Sequence, residues 1–342
     1  ERRTLRRLRR RVWPRAGVHV GRLRVRAGPG RVRSRLRRRV QRRRALRWLA
    51  CGSLLPIAGL HAASPTLRAT AMTLSELERR SGGRLGVCVL DSDSGLRLEW
   101  RSEERFGMCS TFKLLLAAIV LREVDAGRLS LETVLPYSEA DMVPYAPVTE
   151  KHLAAGGMSI GALTEATQTT SDNVAANLLI KKLGGPEKIT AALRAMGDTV
   201  TRLDRMEPEM NLVPAGEERD TTSPRAMAQT VAGLYTNDWL SAESQARLKQ
   251  WMIATNTGAR RIRAGLPADW IAGDKTGTGI APMMANKYND VAVIWPEGRK
   301  PMVIAAYHEA SGYFENMRDQ DQAVLAEVGR IAAAWMANAP AA

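Results

Sequence analysis

The chain has 342 residues, of which 45% are hydrophobic, 25% charged and 5% aromatic, the composition of a globular protein of one or two domains rather than of a low-complexity or fibrous chain. The net charge of +16 is unevenly spread: residues 1–47 hold 21 Arg against the single acid Glu1, and the other 295 residues hold 30 basic against 34 acidic side chains, a balance of −4. The part able to fold is therefore mildly acidic, which excludes a broad basic surface of the kind that binds nucleic acid.

Three readings fit the Arg-rich segment: a nucleic-acid-binding arm, the charged start of an export signal, or sequence upstream of the true start. Only Trp13 interrupts it with an aromatic ring before Trp48, so the first reading ranks last and no nucleic-acid partner is expected. Trp48 to Leu60, with Leu49, Leu54, Leu55, Ile57 and Leu60, is apolar yet too short to span a bilayer. Leu60-His61-Ala62 and His61-Ala62-Ala63 offer small residues for cleavage near Ala62 or Ala63, which predicts a periplasmic or secreted product. Arg43-Arg44-Ala45-Leu46 is a weak twin-arginine signature, and both export routes stay open. The chain opens on Glu1, with Val32 and Val40 as alternative starts. Cys51 is a poor lipoprotein match, and no later apolar run reaches the roughly 18 residues of a membrane span, so no stable membrane anchor is expected. Removing residues 1–63 leaves 279, enough for a large core or two interleaved domains. Cys88 and Cys109 remain, and both are expected to be free, buried thiols.

A short amphipathic helix is predicted near Thr73 to Arg80, followed by a hairpin whose arms, Arg84 to Leu90 and Arg97 to Arg101, flank Asp91-Ser92-Asp93-Ser94-Gly95. From Thr111 to about Trp251 the periodicity is helical, with segments at Ile160 to Thr169, Val174 to Leu183, Pro186 to Met196, Pro224 to Leu234 and Ala242 to Met252. Strand signals return at Trp270 to Gly273, Asp290 to Trp295 and Met302 to His308, before a last helix from Gln320 to Asn338. Strands before and after a helical block predict an α+β fold: one antiparallel sheet built from both chain ends, flanked by helices, with an all-helical insert. The expected division is residues 1–63 as extension and signal, 64–105 with 254–342 as the sheet domain, and 106–253 as the helical domain, with the active site between the last two.

Four short motifs carry chemistry. Ser110 and Lys113 in Met108-Cys109-Ser110-Thr111-Phe112-Lys113 open the apolar run Leu114 to Val120, and a spacing of three puts hydroxyl and amine on one helical face, nucleophile beside base. Ser171-Asp172-Asn173 stands at the start of a helix, where it also reads as an N-cap cluster. Arg205-Met206-Glu207-Pro208-Glu209-Met210-Asn211 lies in a long loop closed by Asp220, and loops of that length are commonly functional. Lys275-Thr276-Gly277 ends a predicted strand, with a cation and a hydroxyl for an anion and a glycine where another backbone can approach.

In this order, Ser-x-x-Lys, Ser-Asp-Asn, Glu-x-x-x-Asn and Lys-Thr-Gly resemble the class A serine β-lactamases. The resemblance runs from about Thr73 to the last helix and takes in Val148-Thr149-Glu150-Lys151, Asp172 to Asn177 and Asp220-Thr221-Thr222-Ser223-Pro224. It implies a β-lactamase/D-Ala-D-Ala peptidase-like fold and a monomer that hydrolyses penicillins and cephalosporins and so confers antibiotic resistance, with no cofactor and no metal. Carried over, Ser110 forms the acyl-enzyme, the N–H groups of Ser110 and Thr278 form the oxyanion hole, and Ser171 passes a proton to the departing nitrogen beside Lys113 and Lys275. Asn173 holds the substrate amide, Glu207 with Asn211 activates the hydrolytic water, and either Lys113 or Glu207 is the acylation base. Lys275, Thr276 and Arg261 form the carboxylate clamp with Gly277 beside them, Tyr145 flanks the mouth, Arg205 pairs with Asp220, and Glu207-Pro208 is cis.

Departures bear on specificity. Gly279 stands where carbapenem-hydrolysing relatives carry a disulfide partner for Cys109, Gly156-Gly157 inserts one residue, and Ile280 to Lys287 is longer than usual. The preferred β-lactam subclass stays open. A penicillin-binding peptidase is the rival enzyme, separated by Glu207 and Asn211; a non-catalytic penicillin sensor is the rival from another class, separated by the absence of a membrane span from the sequence after the signal.

Overall fold

The computed structural model describes residues 65–338. The expected extension, export signal and cleavage points near Ala62 and Ala63 lie outside the described residues. In chain order the elements are α1 (Pro65–Ser81), β1 (Arg84–Asp91), β2 (Arg97–Trp100), β3 (Phe106–Gly107), α2 (Phe112–Asp125), β4 (Val134–Pro136), β5 (Gly157–Ser159) and α3 (Ile160–Thr169). There follow α4 (Asn173–Leu183), α5 (Pro186–Ala195), β6 (Thr221–Thr222), α6 (Pro224–Thr236), α7 (Ala242–Ile253), β7 (Ala272–Gly279), β8 (Lys287–Ile294), β9 (Met302–Glu309) and α8 (Asp319–Asn338).

Both chain ends do build one antiparallel sheet, in the order β2-β1-β9-β8-β7. β1, β8 and β9 are buried on both faces, and the two-residue alternation of side chains sorts them into two cores. Leu85, Val87 and Val89 with Ile304 and Ala306 face the core shared with Leu325, Val328 and Trp335 of α8. Cys88, Val291, Val293, Val303, Ala305 and Tyr307 face the opposite core, where α6 lies over β1 and β9. Every residue from Phe112 to Leu121 is buried, so α2 is the central helix, and over that stretch it is apolar all round except for Lys113.

Three sequence expectations change. The first helix begins at Pro65, well before Thr73. The last-but-two strand is Ala272–Gly279 rather than Trp270 to Gly273, so Lys275-Thr276-Gly277 lies inside β7 and not at the end of a strand. Glycines and a lysine hid it, because β7 is an edge strand shaped by what packs on it: a Cβ at Gly273 would sit 2.5 Å from the backbone of Met252, and one at Gly277 would sit 2.7 Å from the Met108 carbonyl oxygen. The two-residue pair β3–β6 is also absent from the sequence reading; it joins Phe106 to Thr222 and Gly107 to Thr221, tying the segment before Ser110 to the end of the Glu207 loop. Both thiols are free and buried, as expected.

Candidate active site

Ser110 occupies a 3-10 turn, Cys109–Thr111, that feeds directly into α2. The turn is sharp, with Cys109 at φ 45°, a left-handed value that a non-glycine residue holds only when its surroundings enforce it. They do: Met108 N–H donates to Asp220 O, Asn289 Nδ2 donates to the carbonyls of Gly107 and Met108 at 2.8 and 3.0 Å, and the bare Gly277 backbone packs against the other side. Half-buried Ser110 is thereby presented at the head of the central helix.

Lys113, one turn on, is fully buried, and its Nζ sits among oxygens: Asn173 Oδ1 at 2.5 Å, Ser171 O at 2.8 Å, Glu207 Oε1 at 3.0 Å and Ser171 Oγ at 3.4 Å. Burial lowers its proton affinity, opposed by the Glu207 and Asp172 carboxylates. Among the described residues no hydrogen bond joins Lys113 to Ser110; the serine hydroxyl donates instead to Glu207 Oε1 at 3.2 Å. The shared face expected from the spacing of three is present, but Glu207 is inserted between the two groups. Ser171, at φ 63°, also accepts from Lys275 Nζ at 3.0 Å, so its hydroxyl is held between two amines. Lys275 is buried as well, and burial together with the Lys113 charge pushes its proton affinity well down. The N-cap reading of Ser171-Asp172-Asn173 holds at the same time: Asp172 Oδ1 accepts from Ala175 N, while Oδ2 accepts from Val148 N and Thr149 N.

Glu207 is only 2% exposed and is fixed at every end. Asn211 Nδ2 donates to its Oε2 at 2.5 Å, and the side chain of Asn177 brackets its backbone, donating to Glu207 O at 2.8 Å and accepting from Glu207 N at 3.0 Å. The Glu207-Pro208 bond is cis. Arg205 Nε donates to Asp220 Oδ2 at 2.5 Å, and Asp220 Oδ1 also takes the N–H groups of Asp204 and Arg205, so the pair expected to close the loop is formed.

Between these groups and β7 lies a cleft of about 560 Å³ lined by Ser110, Tyr145, Ser171, Asn173, Asn211, Arg261, Thr276 and Thr278. Tyr145 stands at the mouth, 58% exposed. Thr276 Oγ1 shares a hydrogen bond with Thr257 Oγ1 at 2.7 Å. Arg261 is 2% exposed; Nη1 donates to Gly277 O and Asn289 O, and Nη2 to Thr278 Oγ1, so the guanidinium braces the strand as well as adding charge to the cleft. The arrangement joins a half-buried hydroxyl, a buried carboxylate beside it and a surplus of cations opposite, which suits acyl transfer from a substrate that carries its own anion.

The chain is similar to known proteins over most of its length. The profile of the β-lactamase enzyme family matches residues 69–336. The β-lactamase AST-1 of Nocardia asteroides is 47% identical over 75% of this chain and 80% of its own length. The carbapenem-hydrolysing β-lactamase KPC of Klebsiella oxytoca is 42% identical over 84% and 96%. A solved ancestral class A β-lactamase (GNCA) is 52% identical, with a TM-score of 0.72 over 77% of this chain and 98% of that one. This chain belongs to the class A β-lactamases. It therefore hydrolyses the amide of β-lactams, an activity that gives resistance to those antibiotics.

Within the β-lactamase fold Ser110, Ser171, Asn173, Asn211 and Thr276 of the four motifs line one cleft, Glu207, Lys113 and Lys275 contact the side chains of that lining, and Gly277 packs behind Ser110. Sequence reasoning did not assign Asn177, Asn289 or Thr257. Asn177 had a usable signal, since it follows Asn173 by one helical turn and must share its face; Asn289 and Thr257 had none. The departures are local. A Cβ at Gly279 would lie 2.8 Å from Cys109 Sγ, so residue 279 does adjoin the thiol, which burial pushes up to about 12. In the long loop after β7, Met283 is 96% exposed at φ 71°.

Proposed function

We propose that Ser110 is the acylated nucleophile of this β-lactamase and that Glu207 drives the hydrolysis of the acyl-enzyme. The observation that carries the assignment is Glu207 Oε1 lying within reach of both Ser110 Oγ, at 3.2 Å, and Lys113 Nζ, at 3.0 Å, while Asn211 holds Oε2. In acylation the Ser110 Oγ–carbonyl bond forms and the lactam C–N bond breaks. The serine proton leaves to the Lys113–Glu207 pair, and Ser171, hydrogen-bonded to both lysines, delivers a proton to the nitrogen. The backbone N–H groups of Ser110 and Thr278 take the oxyanion, Lys275, Thr276 and Arg261 the substrate carboxylate alongside Gly277, Asn173 the side-chain amide, and Tyr145 the rim. In deacylation, water held by Glu207 and Asn211 adds to the ester, Glu207 takes its proton, and the Ser110 oxygen is reprotonated as it departs. The same reading divides the chain into a sheet part, 64–105 with 254–342, and a helical part, 106–253, acting as a monomer after export and cleavage near Ala62 or Ala63. The sequence pattern supports export, and among the described residues no helix is long and apolar enough to cross a membrane.

Intact-mass spectrometry after brief exposure to benzylpenicillin tests this. Ser110→Ala should acquire no adduct. Glu207→Ala should acquire one that persists, with deacylation slowed by ~10² to 10⁴ and more where water positioning is also lost. A labelled Ser110→Ala protein, or a Glu207→Ala enzyme turning over at the wild-type rate, overturns the roles. The same spectra read the N-terminus of secreted protein, expected at Ala63 or Ser64; a product retaining the Arg-rich segment refutes the export signal.

A further inference from the structure

Asn289 lies in the middle of β8, 1% exposed, opposite Gly277 in the adjoining strand. Its side-chain amide nitrogen leaves the sheet and spends both hydrogens outside it, on the carbonyl of Gly107 at 2.8 Å and that of Met108 at 3.0 Å. Those are the two carbonyls that enter the nucleophile turn. Met108 O is also the acceptor that closes the turn, taking Thr111 Oγ1 at 2.8 Å and Thr111 N at 3.3 Å. The residue between them and the serine is Cys109 in its left-handed conformation, and Ser110 N lies 3.1 Å from where a Cβ on Gly277 would be. Asn289's own carbonyl accepts from Arg261 Nη1 at 2.8 Å. One buried residue thus links the clamp arginine to the serine turn.

We propose that Asn289 is a positioning residue for acylation: by holding the Gly107 and Met108 carbonyls it fixes the peptide plane that aims the Ser110 N–H and hydroxyl at the lactam carbonyl. This rests on Ser110 being the nucleophile. A plain core role predicts something else. Two buried carbonyls left without donors lower stability, but they do not select one chemical step. Aim, in contrast, acts on the bond-forming step and leaves ground-state capture by the clamp intact, because the Arg261 contact uses the backbone of Asn289 and survives a change of side chain.

The test is single-turnover acylation by a chromogenic cephalosporin, followed by stopped flow and intact mass, for wild type, Asn289→Ala, Asn289→Asp and Ser110→Ala, with thermal midpoints measured alongside. Asn289→Ala should lower the acylation rate constant roughly 10- to 100-fold, since small misplacement at a reacting centre has effects of that order. The half-saturating concentration and the deacylation rate should stay near wild type. Asn289→Asp is close to isosteric and keeps the test alive if the alanine variant does not fold. Ionised, it opposes two carbonyls with a carboxylate; protonated, it donates one hydrogen bond. Its acylation rate relative to wild type should therefore rise as pH falls from 8 to 5. An acylation constant in Asn289→Ala equal to wild type, a loss confined to substrate capture, or a relative rate for Asn289→Asp that is flat with pH overturns the proposal. Adduct on Ser110→Ala would instead sink the nucleophile assignment on which it stands.

Discussion

Two charge clusters on the sheet, one partly exposed and one buried, are put together differently. At the far end of β8 and β9, Glu309 lies between Lys287 and Arg84, each at 2.9 Å, and Arg84 reaches on to Glu104 at 3.1 Å: two cations and two carboxylates, each with a partner of opposite sign. In the cleft, Lys113 and Lys275 are both fully buried and, among the described residues, only Glu207 is in ion-pair contact with either. Lys275 Nζ has a hydroxyl and its neighbour's carbonyl and, among the described residues, no carboxylate within ion-pair distance. A fold seeking stability alone matches its buried charges, since an unmatched one carries a desolvation penalty. On the clamp role proposed for Lys275, this unmatched cation is where the substrate anion would complete the set, with stability given up for binding.

The strongest way to break that contrast is to remove the unmatched cation. Lys275→Met should lower kcat/KM for benzylpenicillin by about 10²- to 10³-fold, the usual consequence of deleting one member of a buried charge pair that forms on binding. It should also raise thermal stability, by about 1 kcal/mol or roughly 2–4 °C in Tm for a chain of this size. The sign follows from linkage. Burial holds the Lys275 ammonium well below its usual proton affinity, so the folded state loses stability as pH falls from the unfolded value near 10.4 towards the folded one, and a neutral side chain removes that loss. A Lys275→Met enzyme less stable than wild type at pH 7, by thermal denaturation, would place Lys275 with the matched, structural charges.

Arg205 and Asp220 test the contrast from the other side, because they lie close to the chemistry yet are matched. Asp220 is fully buried and takes Arg205 Nε together with two backbone N–H groups, and Arg205 reaches on to Leu212 O at 2.9 Å. Arg205→Ala strands a buried carboxylate and should destabilise by ~3 kcal/mol, towards the low end for such pairs because the backbone donors remain. Ser110 should still acylate while deacylation slows, since the loop carries Glu207. Unchanged thermal stability together with an unchanged deacylation rate would show that the pair does not hold the loop.

How much of this was legible beforehand depended on the kind of signal. Ser110, Lys113, Ser171, Asn173 and Glu207 were readable because their spacing is local, within one helical turn or one tripeptide, and so was the assembly of the sheet from both ends, because β1, β8 and β9 keep apolar runs. β7 was misplaced because its residues are chosen for what crosses them: Gly273 and Gly277 admit backbones of other segments, which no strand pattern encodes. Asn177 and Asn289 act through hydrogen bonds to chain 30 and about 180 residues away, and that pairing exists only once the fold has formed. The short Ser110–Lys113 spacing suggested a direct contact that the inserted Glu207 replaces.

The smallest expected effect comes from the matched cluster itself. Burial alone would raise the Glu309 carboxyl, but hydrogen bonds and charge from Arg84 and Lys287 outweigh it and hold the group below its ordinary value. A carboxylate depressed in the fold contributes stability above its unfolded value, near 4.3, and that contribution is lost as pH falls through the folded value. Glu309→Gln should therefore cost about 1–2 kcal/mol at pH 7, less than a fully buried pair because Arg84 is a third exposed and partly screened. The difference from wild type should shrink as pH drops below about 4. Turnover should stay near wild type, since Glu309 does not line the cleft. The measurement is denaturant unfolding of both proteins at pH 7 and below pH 4, with kcat/KM at pH 7. A difference in stability that persists undiminished in acid would show that Glu309 acts through packing rather than charge. A large loss of turnover with little loss of stability would erase the distinction between the matched cluster and the cleft.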